Sequence, residues 1–409
     1  MKSTPNNSGM SYRFVIAVLM AIISFSSGLN MYASTPVFPL IMDEYNISRG
    51  TVSLLLSTVL FTHGLLGIPI GILVGRINLK LSVTVGLILA SSVSLIFLTT
   101  NFYTLLALRT CWAFGMGFLW PAMGRLIMEW FKGRELPVIN SILPIAFSLG
   151  IALSASSIVP LSQTFGSWQN GLSFMGFTTI VGLFSWLILG KSNTEYKDLV
   201  IKPSFKDAGK VIKSKNTFLI ALADAGPYCL LTIAIGWFPT YYNEALGMSL
   251  DKAGFLMGIL SFSGTMSLIV MSIVVMWASK RRPLLIWTGI AAAIAGLGSL
   301  FLANTPLIFI LIAALGFSCW FYLPPLLTIP MELPEADSSS VAIIFAVLQS
   351  LGSLLTFIAP FIVGYTTDVL GSYIPSLLVF SAAGLSLVIS GYLLPETGKA
   401  DGYNIARRL

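Results

Sequence analysis

Long apolar stretches separated by short polar segments dominate the hydrophobic pattern of this chain. Each stretch has the ~20 largely apolar residues that a helix needs to cross a bilayer. Twelve are predicted, at residues 14–40, 51–74, 81–100, 103–128, 138–160, 168–189, 217–242, 253–277, 284–303, 307–329, 341–365 and 373–394. The pattern therefore predicts an all-α membrane protein with twelve transmembrane helices.

Composition supports this prediction. Hydrophobic residues make up 56% of the chain and charged residues 10%, whereas soluble proteins carry about 25% charged residues. A soluble fold would lack the polar surface to cover so much apolar core. The first stretch follows Lys2 and Arg13, as in a signal peptide, but it is too long for one and is predicted to be a retained helix.

The basic residues predict which side of the membrane each loop faces. If both termini lie in the cytoplasm, the cytoplasmic segments hold every lysine and arginine except three. Arg49 and Lys252 lie in outer loops, and Arg109 lies within the fourth stretch. This bias follows the positive-inside rule for an inner or plasma membrane. It explains the net charge of +7 without a nucleic-acid partner.

The longest polar segment, residues 191–216, divides the chain into predicted bundles at residues 1–190 and 217–409. Two interpretations of this cytoplasmic linker remain open. It is either a tether between the bundles or the site of a short interfacial helix that begins at Ser204 and lies against the lipid headgroups.

Four short motifs recur at offsets of 200 to 205 residues, which indicates an internal duplication. They are Phe38-Pro39 with Glu44 and Phe238-Pro239 with Glu244, Pro121 with Glu129 and Pro324 with Glu332, Ser148-Leu149-Gly150 and Ser350-Leu351-Gly352, and Gly166-Ser167-Trp168 and Gly371-Ser372-Tyr373. Six helices in each copy preserve the direction of insertion. The expected architecture is two six-helix bundles related as parallel repeats.

The segment after the second stretch resembles a signature of the major facilitator superfamily, Gly-x-Leu-Ala-Asp-Arg-x-Gly-Arg-Arg/Lys. Gly71, Leu73, Arg76 and Lys80 match it. The resemblance implies gating roles for Gly71 and Arg76. Gly75 replaces the acid that, in the family, helps to close the cytoplasmic side.

The fourth stretch also resembles this family, in which an arginine precedes a glycine-rich segment and a proline. The matching residues are Arg109, Gly115, Gly117, Trp120 and Pro121. The motifs fall in register over essentially the whole chain, and they are most similar to the organic-anion and cyanate-type branches. The resemblance implies a secondary transporter whose two halves rock around a central site.

Two acids of the organic-anion symporters are missing here. Aligning the first stretch on Pro36 puts Asn30 on the family's asparagine. The same alignment puts Ser27 and Gly28 where an acid and an arginine are typical. Met116 stands where the fourth helix often carries an acid. The coupling scheme of that branch is therefore not expected in this chain.

Ionisable groups at membrane depth cost free energy and are functional candidates by default. Arg109 is one of them, and Trp112 continues its helix face. A guanidinium suits a carboxylate, so one hypothesis is that Arg109 binds the solute. The alternative is that Arg109 binds backbone carbonyls of a neighbouring broken helix.

Asp224 and His63 are the other ionisable residues at this depth. Asp224 is interpreted either as the site that takes up a coupling proton or as a hydrogen-bonded helix-end carboxylate. His63 is interpreted as a packing residue or as a second coupling candidate. The chain has a single histidine, so no metal site is expected, and no other cofactor is expected either.

Further candidates for solute binding are Asn30, Trp112, Tyr228, Tyr241, Trp320 and Gln349. For each aromatic residue, packing or a place in the interfacial belt is the competing interpretation. Gly115, Gly117 and Gly124 are predicted to be points of close helix packing.

The sequence contains neither a phosphate-binding GxxxxGK[ST] motif nor a catalytic constellation, so an ATP-driven pump and an enzyme are both excluded as predictions. We predict a monomeric secondary transporter for a small organic solute and favour an anion. Transport is driven by a co-transported proton or other ion, or it is facilitated diffusion. The alternative is a carrier of an uncharged or cationic solute with a structural Arg109. A membrane sensor would need a larger soluble domain than residues 191–216 supply.

The predicted orientation can be tested by thiol labelling. A cysteine at Lys252 should react with an impermeant reagent in intact cells, whereas a cysteine at Lys206 should not, because the first lies outside and the second in the cytoplasm. The reverse pattern would contradict the orientation.

Overall fold

The computed structural model describes residues 7–131, 135–192, 211, 213–333 and 338–397. Within these ranges the chain is helical, with no strand. The α-helices are α1 (Asn7–Met31), α2 (Phe38–Tyr45), α3 (Arg49–Val52), α4 (Leu54–Arg76), α5 (Leu79–Ala90), α6 (Phe102–Trp130), α7 (Leu136–Thr164), α8 (Trp168–Leu189), α9 (Lys215–Glu244), α10 (Leu250–Trp277), α11 (Arg282–Phe301), α12 (Ile308–Phe321), α13 (Leu323–Glu332), α14 (Ser338–Phe357), α15 (Ala359–Leu370), α16 (Ile374–Ser381) and α17 (Leu385–Leu393). The predicted interfacial helix from Ser204 lies outside the described residues.

Twelve helical stretches in the described part of the chain are long and apolar enough to cross a membrane, which confirms the predicted number. The first stretch is not one continuous helix, however. α1 ends at Met31, a 3-10 turn covers Thr35–Val37, and α2 begins at Phe38. Pro36 and Pro39 explain the break, because a proline supplies no N–H group to the helix and its ring clashes with the preceding turn.

The described residues form two compact units. The first comprises the described residues of Met1–Ile47, Leu54–Val200 and Leu250–Gly258, and the second comprises those of Ser48–Ser53, Ile201–Ser249 and Ile259–Leu409. In the first unit α1 packs mainly against α7, and α6 packs against α4 and α5. In the second unit α9 packs against α14 and α17, and α11 packs against α12.

Two of the repeated motifs meet in space, and they make the same kind of contact in each unit. In the first unit, the indole N–H of Trp168 donates to Glu44 Oε2 at 2.6 Å. In the second, the hydroxyl of Tyr373 donates to Glu244 Oε2 at 2.7 Å. An aromatic donor at the start of one helix thus binds the carboxylate at the end of another, in both copies.

Glycine allows α1 and α7 to cross with their backbones in contact. A Cβ atom at Gly28 would lie 1.9 Å from the main-chain oxygen of Phe147, and one at Gly150 would lie 2.3 Å from that of Phe25. Neither position has room for a side chain. Small residues at such crossings are typical of membrane helices, whose association depends on close packing.

We expect Gly28→Ala to destabilise the protein, because its methyl group would overlap the backbone of α7. Overpacking of this kind costs about 1–3 kcal/mol of unfolding free energy. Gly182→Ala is the matched control, since its Cβ would lie at ordinary contact distance, 3.8 Å from Ile23. Thermal unfolding of the purified proteins measures the difference, and equal stabilities would contradict the backbone contact.

Candidate functional site

Arg109 is buried two turns into α6, with 2% of its surface exposed. Its Nη1 donates to the main-chain oxygen of Asn30 at 2.6 Å and its Nη2 to that of Met31 at 2.9 Å. These carbonyls lie in the last turn of α1, where the helix supplies no further N–H group to bind them. The guanidinium therefore makes the contacts described by the structural hypothesis, an arginine bound to the carbonyls of a broken helix.

Asn30 and Trp112, both predicted to bind solute, pack around this arginine. The Asn30 amide donates to the main-chain oxygens of Ser26 at 2.9 Å and Met175 at 3.4 Å. The ring centre of Trp112 lies 4.9 Å from the Arg109 guanidinium carbon. Trp112 is fully buried, and its indole nitrogen has no hydrogen-bond partner among the described residues.

A cavity of about 190 Å³ lies between α1, α6 and α7 of the first unit. Ser27 and Met116, which stand where the resemblance places acids in organic-anion symporters, both line it. Among the described residues, none that lines the cavity carries a charged side chain. Sequence reasoning missed Ser24 and Asn140, which also line it, because no sequence pattern shows which face of α7 meets α1.

The glycines of α6 do not all have the predicted role. A Cβ atom at Gly115 would lie 2.5 Å from the main-chain nitrogen of Ala90, and one at Gly117 would lie 2.8 Å from Ile70 Cδ1. These contacts confirm close packing at both positions. The prediction is wrong for Gly124, where a Cβ would meet nothing within 4 Å because this glycine faces the cavity.

Asp224 is buried in α9, and its Oδ1 accepts a hydrogen bond from the Tyr322 hydroxyl at 2.8 Å. Tyr322 occupies the junction between α12 and α13, just before two prolines. A Cβ at Gly352 of α14 would lie 2.8 Å from the other carboxylate oxygen. Tyr228, one turn after Asp224, is half-buried. Asp224 thus links α9 to the break between α12 and α13.

The remaining candidates for solute binding occupy different surroundings. The Tyr241 hydroxyl donates to the main-chain oxygen of Leu300 at 3.1 Å. Trp320 packs on Gly264, where a Cβ would lie 2.3 Å from its ring. Gln349 is exposed on α14. None of the three belongs to the lining of the cavity.

His63, the second coupling candidate, is half-buried in α4. Its Nε2 has no hydrogen-bond partner in the part of the chain that the structure describes. Over the same residues there is no group of three or more His, Cys, Asp or Glu side chains that could hold a metal ion.

The predicted gating residues lie at the end of α4. Gly71 faces α6, where its Cβ would be 3.9 Å from Pro121 Cγ, and Arg76 is exposed. Sequence reasoning missed Arg125 of α6, which donates to the main-chain oxygens of Val74 and Ile77. Arg125 therefore fixes the end of α4 to α6.

Comparison with known proteins identifies the family. A sequence model of the Major Facilitator Superfamily matches residues 20–360. The chain is 25% identical to the 4-hydroxybenzoate transporter PcaK of Pseudomonas aeruginosa over 66% of this chain and 67% of that protein. It is 22% identical to the hexuronate transporter of Bacillus subtilis over 89% of this chain and 90% of that protein.

The fold is also that of solved transporters. A bacterial homologue of the human lysosomal transporter Spinster superposes with a TM-score of 0.67 at 16% identity, over 94% of this chain and 95% of that one. This likeness concerns the fold alone, whereas the sequence model covers most of the chain. Twelve helical stretches of the described residues are long and apolar enough to cross a membrane, and the chain belongs to the Major Facilitator Superfamily and is a multi-pass membrane transporter of small molecules, not an enzyme.

Proposed function

We propose that this chain is a secondary transporter that moves a small organic anion, with a carboxylate-like group, by rocker-switch alternating access. It acts as a monomer with both termini in the cytoplasm. The observation that carries the proposal is the charge of Arg109. It is buried, and no carboxylate of the described residues lies within ion-pair distance. A buried cation without a counter-charge is costly, and an anionic solute supplies one.

The position of Arg109 relative to the cavity supports this proposal. Arg109 binds the carbonyl of Asn30. Asn30 lies three residues after Ser27 of the cavity lining, which corresponds to ~4.5 Å of helix rise. In an apolar interior the positive charge raises the electrostatic potential at that end of the cavity. The cargoes named for the two relatives, a hexuronate and a 4-hydroxybenzoate, are both carboxylates. One is a sugar acid and the other is aromatic, so their names leave the kind of carboxylate open.

A second candidate is a carrier of an uncharged or cationic solute with a structural Arg109. Two observations favour it: both terminal nitrogens of Arg109 already bind carbonyls, and the cavity lining is uncharged. If the first candidate is right, removing the charge of Arg109 lowers the affinity for an anion more than the affinity for a neutral molecule of similar shape. If the second is right, it changes both affinities alike.

We expect Arg109→Ala to weaken anion binding by about 2–5 kcal/mol, as for the loss of one partner from a desolvated charge pair. Arg109→Lys retains the charge but not the planar fork, so it should weaken binding less. Ligand-induced shifts in melting temperature of the purified protein report binding. Lys280→Ala, which removes an exposed charge, is the control.

Unchanged anion affinity in a folded Arg109→Ala protein would overturn the proposed role. If Arg109→Ala does not fold because the α1 carbonyls lose their donors, Arg109→Gln carries the test, since its amide still donates N–H groups but has no charge. Unchanged affinity of this variant for an anion, together with unchanged affinity for a neutral analogue, would favour the second candidate.

For coupling, we propose that Asp224 takes up the co-transported proton and that Tyr322 positions its carboxylate. A hydrogen bond to an ionised carboxylate is stronger than one to a neutral acid. Protonation therefore weakens the hold of Asp224 on the junction between α12 and α13. Gly71 and Arg76 are proposed to act at the cytoplasmic gate, together with Arg125. If no proton is coupled, the protein is a facilitator or uses another ion.

Asp224→Asn mimics the protonated acid. We expect it to retain solute exchange in proteoliposomes but to lose accumulation driven by a pH gradient. Tyr322→Phe should retain accumulation at a reduced rate, since it removes the hydrogen bond and not the carboxylate. Gradient-driven uptake that survives Asp224→Asn would rule out Asp224, and loss of that uptake in His63→Gln would transfer the role to His63.

A further inference from the structure

We propose that the cavity between α1, α6 and α7 holds a flat, unsaturated ring of the transported solute, so that the cargo is an aromatic carboxylate. This proposal rests on the proposed function for one feature, the carboxylate of the solute. The ring itself is inferred from the shape and chemistry of the cavity, which distinguish an aromatic acid from a sugar acid.

The indole of Trp120 supplies a wall of this cavity. It is 40% exposed, so that part of its surface is open to a ligand. Phe147 contacts it edge to face, with ring centres 5.3 Å apart and planes at 72°. This contact holds the plane of the indole. Met116 and Met123 also line the cavity, and thioethers make favourable contacts with aromatic rings.

The polar groups of the cavity suit a ring better than a polyol. The Ser24 hydroxyl donates to the main-chain oxygen of Leu143 at 2.8 Å, and the Ser27 hydroxyl donates to that of Ile23 at 2.7 Å. Both hydrogens are therefore committed, and only the oxygens remain as acceptors. These oxygens can still accept hydrogen bonds, but a sugar acid brings more hydroxyls than they can pair, and each hydroxyl left without a partner costs free energy.

Two side-chain hydrogen-bond donors remain in the described part of the cavity lining. They are the amide of Asn140, which is exposed, and the indole N–H of Trp120. Burying a polar group without a hydrogen-bond partner costs free energy, so this cavity disfavours a solute that brings more polar groups than its lining can pair. An aromatic ring with one carboxylate needs few hydrogen-bond partners inside the cavity.

Gly124 provides the space beside the indole. It follows Trp120 by one helical turn, and a Cβ at this position would meet nothing within 4 Å. The cavity of about 190 Å³ is large enough for one ring, since an apolar cavity of ~150 Å³ binds benzene. The carboxylate would then face the Ser27 end, which is the end nearest to Arg109.

Three probes separate the ring from the charge: benzoate, benzamide and glucuronate. We expect benzoate to raise the melting temperature of the purified full-length protein most, with an affinity about tenfold higher than that of glucuronate, equivalent to ~1.4 kcal/mol. Stabilisation by glucuronate but not by benzoate would overturn the ring and leave the anion proposal intact. Equal binding of benzamide and benzoate would support the ring and overturn the anion proposal.

Variants of the cavity wall test the position of the ring. Gly124→Leu fills the open space and should abolish benzoate binding, whereas Gly124→Ala should weaken it only slightly. Gly182→Ala is the control, because it adds a methyl group to α8 outside the cavity lining. It shows how much of the effect of Gly124→Ala comes from the higher helix propensity of alanine alone. Trp120→Leu should weaken benzoate binding about tenfold, and Trp120→Phe should restore most of it. Benzoate binding that is unchanged in both Gly124→Leu and Trp120→Leu would overturn the proposal.

Discussion

The break in the first membrane span imposes the main physical constraint on the first unit. Where α1 ends at Met31, its last carbonyls lose their helical partners inside an apolar span. Unpaired carbonyls are not tolerated in a bilayer unless protein groups satisfy them. Arg109 supplies the donors from α6, so the break in one helix and the buried charge of another depend on each other. Arg109 binds the carbonyl of Asn30, three residues beyond Ser27 of the cavity lining, and we propose that its charge there favours anionic solutes.

The two units resemble each other more closely in their helix packing than in their chemistry. Each unit packs its first long helix against its fifth, as α1 does with α7 and α9 with α14. Each also binds a helix-end glutamate with an aromatic donor, Trp168 or Tyr373. In both units this contact ties the start of one helix to the end of another.

The polar groups inside the two units differ. At the offset of 200 that relates Phe38 to Phe238, Asp224 corresponds to Ser24. Ser24 lines the cavity and binds a main-chain oxygen, whereas Asp224 binds Tyr322 at a helix junction. An uncharged cavity in one unit and a carboxylate in the other fit the division of labour that we propose, in which one unit holds the ring of the solute and the other responds to the proton.

The sequence by itself determined the class of protein and the number of spans, because the length and apolar content of a membrane helix are local properties. It determined the family through short motifs that fall in register along the chain. It also identified Arg109 and Asp224, since a charge inside an apolar stretch is visible without a fold. What these residues touch was decided only by tertiary structure. Arg109 meets carbonyls from residues 30 and 31, and Gly124 faces a cavity although Gly115 and Gly117 on the same helix face neighbours. Partners of this kind come from distant segments, and helical spacing fixes the face of a residue but not what packs against that face.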